Sequence, residues 1–174
     1  MLRKSFAVMA LVLLSACSGD PEPREPAPSP SASPTATPPD MPELANEESD
    51  EGAFGFATHF IESMNYSVNS GVTEPLTALS SKSCESCRSY IETIQSDAQH
   101  GTTVRGFRWT IANGSVDNDG AVDLRIDADE YEIREFGDAD WSRVESARYE
   151  LGLSLKYGSS GWTVMEMYLP EASE

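Results

Sequence analysis

The sequence predicts an α+β domain in which three N-terminal helices pack on a curved, four-stranded antiparallel sheet. Two observations carry this reading. Apolar residues recur at helical spacing up to about residue 100, and after Gly101 the period drops to two. A third observation sets the boundary: nine of the eleven prolines lie between Pro21 and Pro42, in a stretch with almost nothing apolar to bury. The expected organisation is therefore a signal peptide over 1–16, an acidic stalk over 17–52 and one folded domain over 53–174.

Ala53 to Val68 reads as an amphipathic helix, with Phe56, Phe60 and Met64 joined by Ala57 and Ile61 on one face, and Asn69-Ser70-Gly71 as its stop. Thr73-Glu74-Pro75 starts a short second helix: a capping hydroxyl, an acid, and a proline where no amide is missed. Leu76 and Leu79 face inward from it. Ser83 is the expected cap of a third helix reaching about His100, with Cys87, Tyr90, Ile91, Ile94 and Ala98 along one side.

Thr102 to Ile111 then puts Phe107, Trp109 and Ile111 on one face of a strand, and Asn113 to Gly120 reads as a turn. Ala121 to Phe136 places Val122, Leu124, Ile126 and Ala128 together, but Tyr131 and Ile133 fall on the opposite parity. A bulge near Asp129-Glu130 restores them to the core side and bends the strand. Val144 to Tyr157 and Trp162 to Leu169 complete a meander through the Gly158-Ser159-Ser160-Gly161 hairpin. Helices followed by a bent meander resemble the nuclear transport factor 2-like cone, in which a pocket lies between the two; a flatter cystatin-like roll is the alternative. A thioredoxin arrangement is disfavoured, because no strand precedes the cysteines.

The chain opens with Met1-Leu2-Arg3-Lys4 and the apolar run Phe6 to Leu14. That run is far short of the ~20 residues of a membrane-spanning helix and has the layout of a secretory signal. Leu14-Ser15-Ala16-Cys17 looks like a bacterial lipobox, which makes Cys17 the expected lipidation site. Two acyl chains anchor stably where one is marginal. The stalk reaches roughly 100 Å at ~3.1 Å per residue if fully extended, so the expected location is the outer face of a cell membrane.

Asp and Glu outnumber Lys and Arg 29 to 12, for a formal net charge of -17. Such acidity argues against nucleic acid as a partner, since polyanions are recognised by basic patches. The expected partners are the membrane, through the lipid, and an unidentified protein or small-molecule ligand. No cofactor is expected: the chain has no glycine-rich phosphate loop, no Gly-x-Ser-x-Gly and no His-Glu-x-x-His. Asp117-Asn118-Asp119-Gly120 has part of a calcium loop, but the remaining ligand spacing is missing and the run reads as a turn.

With Cys17 assigned to lipid, Cys84 and Cys87 are left as a pair. At i and i+3 around a helix start their Cα atoms lie near ~5 Å apart, within disulfide range, and beyond the membrane oxidation is the default. One reading is a local structural bridge; another is a redox dithiol, whose first thiol a helix N-terminus would activate. His59 and His100 are not at zinc-ligand spacing.

Asn65-Tyr66-Ser67-Val68-Asn69-Ser70-Gly71, Leu76-Thr77-Ala78-Leu79-Ser80, Cys84-x-x-Cys87 and Tyr90-Ile91 together resemble an uncharacterised family of actinobacterial lipoproteins. The specific likeness spans about Phe54 to Gly106, with Val72 standing where that family leads one to expect an acid. It implies a location and a fold, and no reaction. His59, Tyr66, Trp109 and Tyr149 are the residues that could line a pocket in such a cone. No catalytic residue is assigned. The favoured reading is a non-catalytic binding module. A small pocket enzyme of the isomerase or hydrolase kind and a thiol oxidoreductase using Cys84 and Cys87 are the alternatives.

Overall fold

A computed structural model describes residues 37–117 and 119–168. The signal segment, Cys17 and most of the stalk lie outside the described residues. Helix α1 spans Asp50–Ser70, α2 Glu74–Leu79 and α3 Glu85–Gln99. Ser49 caps α1 by accepting from the Gly52 N–H at 3.0 Å, and Asp50 and Glu51 complement the positive end of the helix dipole. Gly71 ends the helix at φ 74°, a left-handed conformation that glycine adopts without steric cost.

The fold begins upstream of residue 53. Residues 37–47 form a strap over α1, with a 3-10 turn at Glu43–Asn46 and Ala45 buried beneath it. The Tyr157 hydroxyl donates to the Asn46 carbonyl and the Trp162 indole N–H to the Glu47 carbonyl, both at 2.8 Å. Gly52 and Gly55 make room for this approach: a Cβ on Gly52 would overlap the Glu47 carbonyl oxygen, and one on Gly55 would touch Ala45. Backbone groups make most of these contacts, which is why the composition of the strap does not announce them.

Two of the expected caps differ. The Thr73 hydroxyl accepts from Gln95 Nε2 at 2.7 Å, tying α2 to α3, and makes no cap bond. Cys84, not Ser83, caps α3, with its Sγ accepting from the Cys87 N–H at 3.1 Å.

The four expected strands are present, and three are broken by sharp bends. Thr102–Ile111 divides into β1 (Thr103–Arg105) and β2 (Trp109–Val116), so β2 runs through Asn113 where a turn was expected. The second strand divides at Asp129-Glu130 into β3 (Ala121–Ala128) and β4 (Tyr131–Arg134). The third divides at Glu145-Ser146 into β5 (Ser142–Val144) and β6 (Ala147–Gly158), and β7 is Gly161–Tyr168. Two antiparallel sheets result, ordered β2-β3-β6-β7 and β1-β4-β5. Because the second repeats the order of the first, they are one strongly curved surface. The break between Ala128 and Tyr131 keeps both residues on the helix side, as the parity slip requires, and Tyr131 packs edge-on against Phe107.

The core fills the space between α1 and the larger sheet. Phe56, Phe60 and Met64 meet Val122, Leu124 and Ile126 of β3 with Leu151 and Leu153 of β6, all 2% exposed or less. The outer sheet face is polar. There Asp127 of β3 meets Arg148 of β6 at 2.8 Å, and Glu130, in the break after β3, meets Arg143 of β5 at 2.9 Å. These exposed pairs contribute little stability.

Candidate binding groove

A groove of about 850 Å³ opens between α1 and the β1–β2 bend. Successive turns of α1 supply one wall through Thr58, Ile61, Glu62, Asn65 and Tyr66, and the β1–β2 bend with β2 supplies the other through Phe107, Arg108, Trp109 and Ile111. Thr37 and Pro39 of the strap close one side.

β2 is an edge strand of the larger sheet, and such an edge presents unpaired backbone groups. Here the Asn65 carboxamide covers it: Nδ2 donates to the Trp109 carbonyl at 2.9 Å, and Oδ1 accepts from the Trp109 N–H at 2.8 Å. One turn later, Asn69 Nδ2 donates to the Phe107 carbonyl at 2.7 Å. The two asparagines thus continue the sheet's hydrogen bonding with side chains and fix the distance between the walls. On the opposite edge Ser81 N–H donates to the Val164 carbonyl at 2.8 Å and Ser86 Oγ accepts from Met167 N–H at 3.0 Å.

Of the four residues expected to line a pocket, Tyr66 and Trp109 line this groove. Tyr149 stands behind Trp109, with ring centroids 5.5 Å apart, in a row that continues through Phe107 to Tyr131. Burial, with Tyr149 nearby, raises the Tyr131 pKa, and burial dominates a similar rise at Tyr90. His59 is buried on another part of α1, against Asp40. His59 and Tyr149 are therefore not among the residues that line the groove. Sequence reasoning missed Asn65 and Asn69 as builders of the site, although their spacing of four residues after Ile61 marks a shared face.

Cys84 and Cys87 form a disulfide with Cα atoms 5.3 Å apart. Both cysteines belong to the core, at 1% and 2% exposed. Exchange needs a thiolate to reach a sulfur, and this bridge is shielded, so the geometry favours a structural bridge over a redox centre. The expected outcome of thiol labelling across a redox buffer series is a reduction potential below about -300 mV, the range of structural disulfides. A potential between roughly -120 and -230 mV would make exchange chemistry the better reading.

Cys17 lies outside the described residues. Among the described residues, no group of three or more His, Cys, Asp or Glu is placed to hold a metal ion, and no helix is long and apolar enough to cross a membrane.

Residues 25–168 match the model of a family described as "Family of unknown function (DUF6318)". The chain belongs to that family. Among curated proteins none matches this DUF6318 chain. The solved structures similar to it include two that show the range of the likeness. The intermembrane space region of the chloroplast protein ARC6 is 13% identical with a TM-score of 0.52, over 71% of this chain and 97% of that one. An NTF2-like protein with a cystatin-like fold from Novosphingobium aromaticivorans is 13% identical with a TM-score of 0.44, over 70% of this chain and 84% of that one. At such identity the first likeness concerns the fold alone. It joins the helices and curved sheet in defining the α+β architecture of this DUF6318 member.

Proposed function

We propose that the chain is a lipoprotein anchored through Cys17 to the outer face of a cell membrane, and that its domain is a non-catalytic binding module. The observation that carries the module reading is the build of the groove. Its walls are mainly aromatic and aliphatic, with Thr58, Glu62 and Arg108 among the lining residues, its asparagines are committed to the strand backbone, and the histidine an acid–base site would use is buried elsewhere. A concave, largely apolar site of ~300–1,000 Å³ with a few fixed polar groups is the usual form of a ligand site. The lipobox-like Leu14-Ser15-Ala16-Cys17 supports the anchor.

Cell fractionation of the full chain with a photo-crosslinking amino acid at position 66 tests both parts. The expected results are retention in the membrane fraction that Cys17→Ser abolishes, and a discrete crosslinked adduct absent when the probe stands at Glu166 on the opposite sheet edge. Membrane retention unaffected by Cys17→Ser would overturn the anchor. Identical adducts from both positions, or none from position 66, would overturn the groove as the binding site.

A further inference from the structure

The strap is held differently at its two ends. Near Glu47, carbonyls accept from Tyr157 and Trp162 and Ala45 sits on the Gly55 backbone. Near Thr37, the strap forms one side of the groove and Asp40 lies against His59. That histidine is 5% exposed, and its Nδ1 is buried with no hydrogen-bond partner. A neutral imidazole can leave Nδ1 as an unused lone pair. A protonated ring would have to bury both a charge and an N–H without an acceptor, which costs far more.

We propose that His59 is a proton-operated latch on the strap: neutral, it holds the Asp40 end down and keeps the groove walled; protonated, it releases residues 37–42 and opens that side. The inference goes beyond the binding-module reading and stands whether or not a ligand occupies the groove.

The charged groups facing His59 are Glu62 on its own helix and Asp40 on the strap. Glu62, a hydrogen bond to the Asp40 backbone and the Asp40 carboxylate all favour the cation, yet burial outweighs them and holds the pKa below the usual histidine value. With the strap open the ring meets water and titrates near ~6.5. Protons therefore bind the open form preferentially. Opening rises as pH falls below about 6.5, by up to about tenfold per unit, and levels off below the closed-form pKa.

The test is cleavage of the full chain by a Glu/Asp-specific protease at pH 7.5 and 5.5, in wild type and His59→Gln. Taking the ratio of the two proteins at each pH cancels the protease's own pH dependence. The expected result is wild-type cleavage after Asp40 that equals the variant's at pH 7.5 and exceeds it up to about tenfold at pH 5.5. Cleavage within β3 and β6 should not change. A ratio that is the same at both pH values overturns the latch. So does a rise at every site together, which would mean that His59 acts through global stability. If His59→Gln does not fold, an NMR titration of wild type decides: Asp40 and Met41 amides should move with the His59 midpoint, and independent midpoints would sink the proposal.

Discussion

Phe60→Ala is expected to cost about 3–5 kcal/mol, the range for deleting a large aromatic ring from a close-packed core. Phe60 is 1% exposed and lies midway along α1, in the cluster that joins the helix layer to β3 and β6. The flanking Phe56 and Met64 are side chains of a helix secured by its own caps, so collapse into the void is restricted. A domain of this size has ~5–15 kcal/mol in total, so the variant should approach the edge of folding. Urea unfolding followed by tryptophan fluorescence measures the loss. Phe136→Ala is the control, since Phe136 is 81% exposed and its truncation should stay within ~0.5 kcal/mol. Equal losses in the two variants would show that the helix–sheet core does not carry the stability assigned to it.

The parts of the fold that sequence reading found are those where burial follows a period. Phe56, Phe60 and Met64 at successive fours place α1 against a sheet, and Val122, Leu124 and Ile126 at successive twos supply its partner. Even the bend was legible, because Ala128 and Tyr131 cannot share a face without a break between them. What escaped lacks a periodic apolar signature. The strap is held by carbonyls of Asn46 and Glu47 and by the bare backbone of Gly52, so its residues look like stalk. The Cys84 cap uses a sulfur where a serine hydroxyl was available next door. Asn65 and Asn69 were hardest of all, because an amide on a helix normally reads as solvent-facing. Tyr66 and Trp109 were named as pocket residues for their chemistry, and they share the groove; His59 and Tyr149 had the same chemistry and do not. Their difference lies in which turn of α1 and which strand faces the β2 edge, a tertiary relation that spacing within one element cannot encode.

Asn65 offers the second large expected effect, and its chemistry separates packing from hydrogen bonding. Asn65→Asp keeps the shape and one acceptor for the Trp109 N–H. It replaces the donor to the Trp109 carbonyl with an anionic oxygen, so two acceptors face each other in a half-buried site. The expected loss at pH 7 exceeds that of Asn65→Leu, which leaves buried polar groups merely unpaired at ~1–3 kcal/mol, because one of the opposed acceptors now carries a charge. The sign with pH follows from which form of the aspartate fits. Protonated, it can donate to the carbonyl again, so its folded pKa should stand above the unfolded value of ~3.9. Stability is then fullest below that unfolded value and is lost as pH rises through the folded pKa. Urea denaturation of Asn65→Asp and Asn65→Leu between pH 3 and 7 checks this, each compared with wild type at the same pH. Recovery of the aspartate variant towards wild type in acid, with the leucine variant's deficit unchanged, is the expected pattern. A pH-independent deficit in both would mean that the side chain only fills space, and that the spacing of the groove walls is set by packing and not by an amide continuing the sheet.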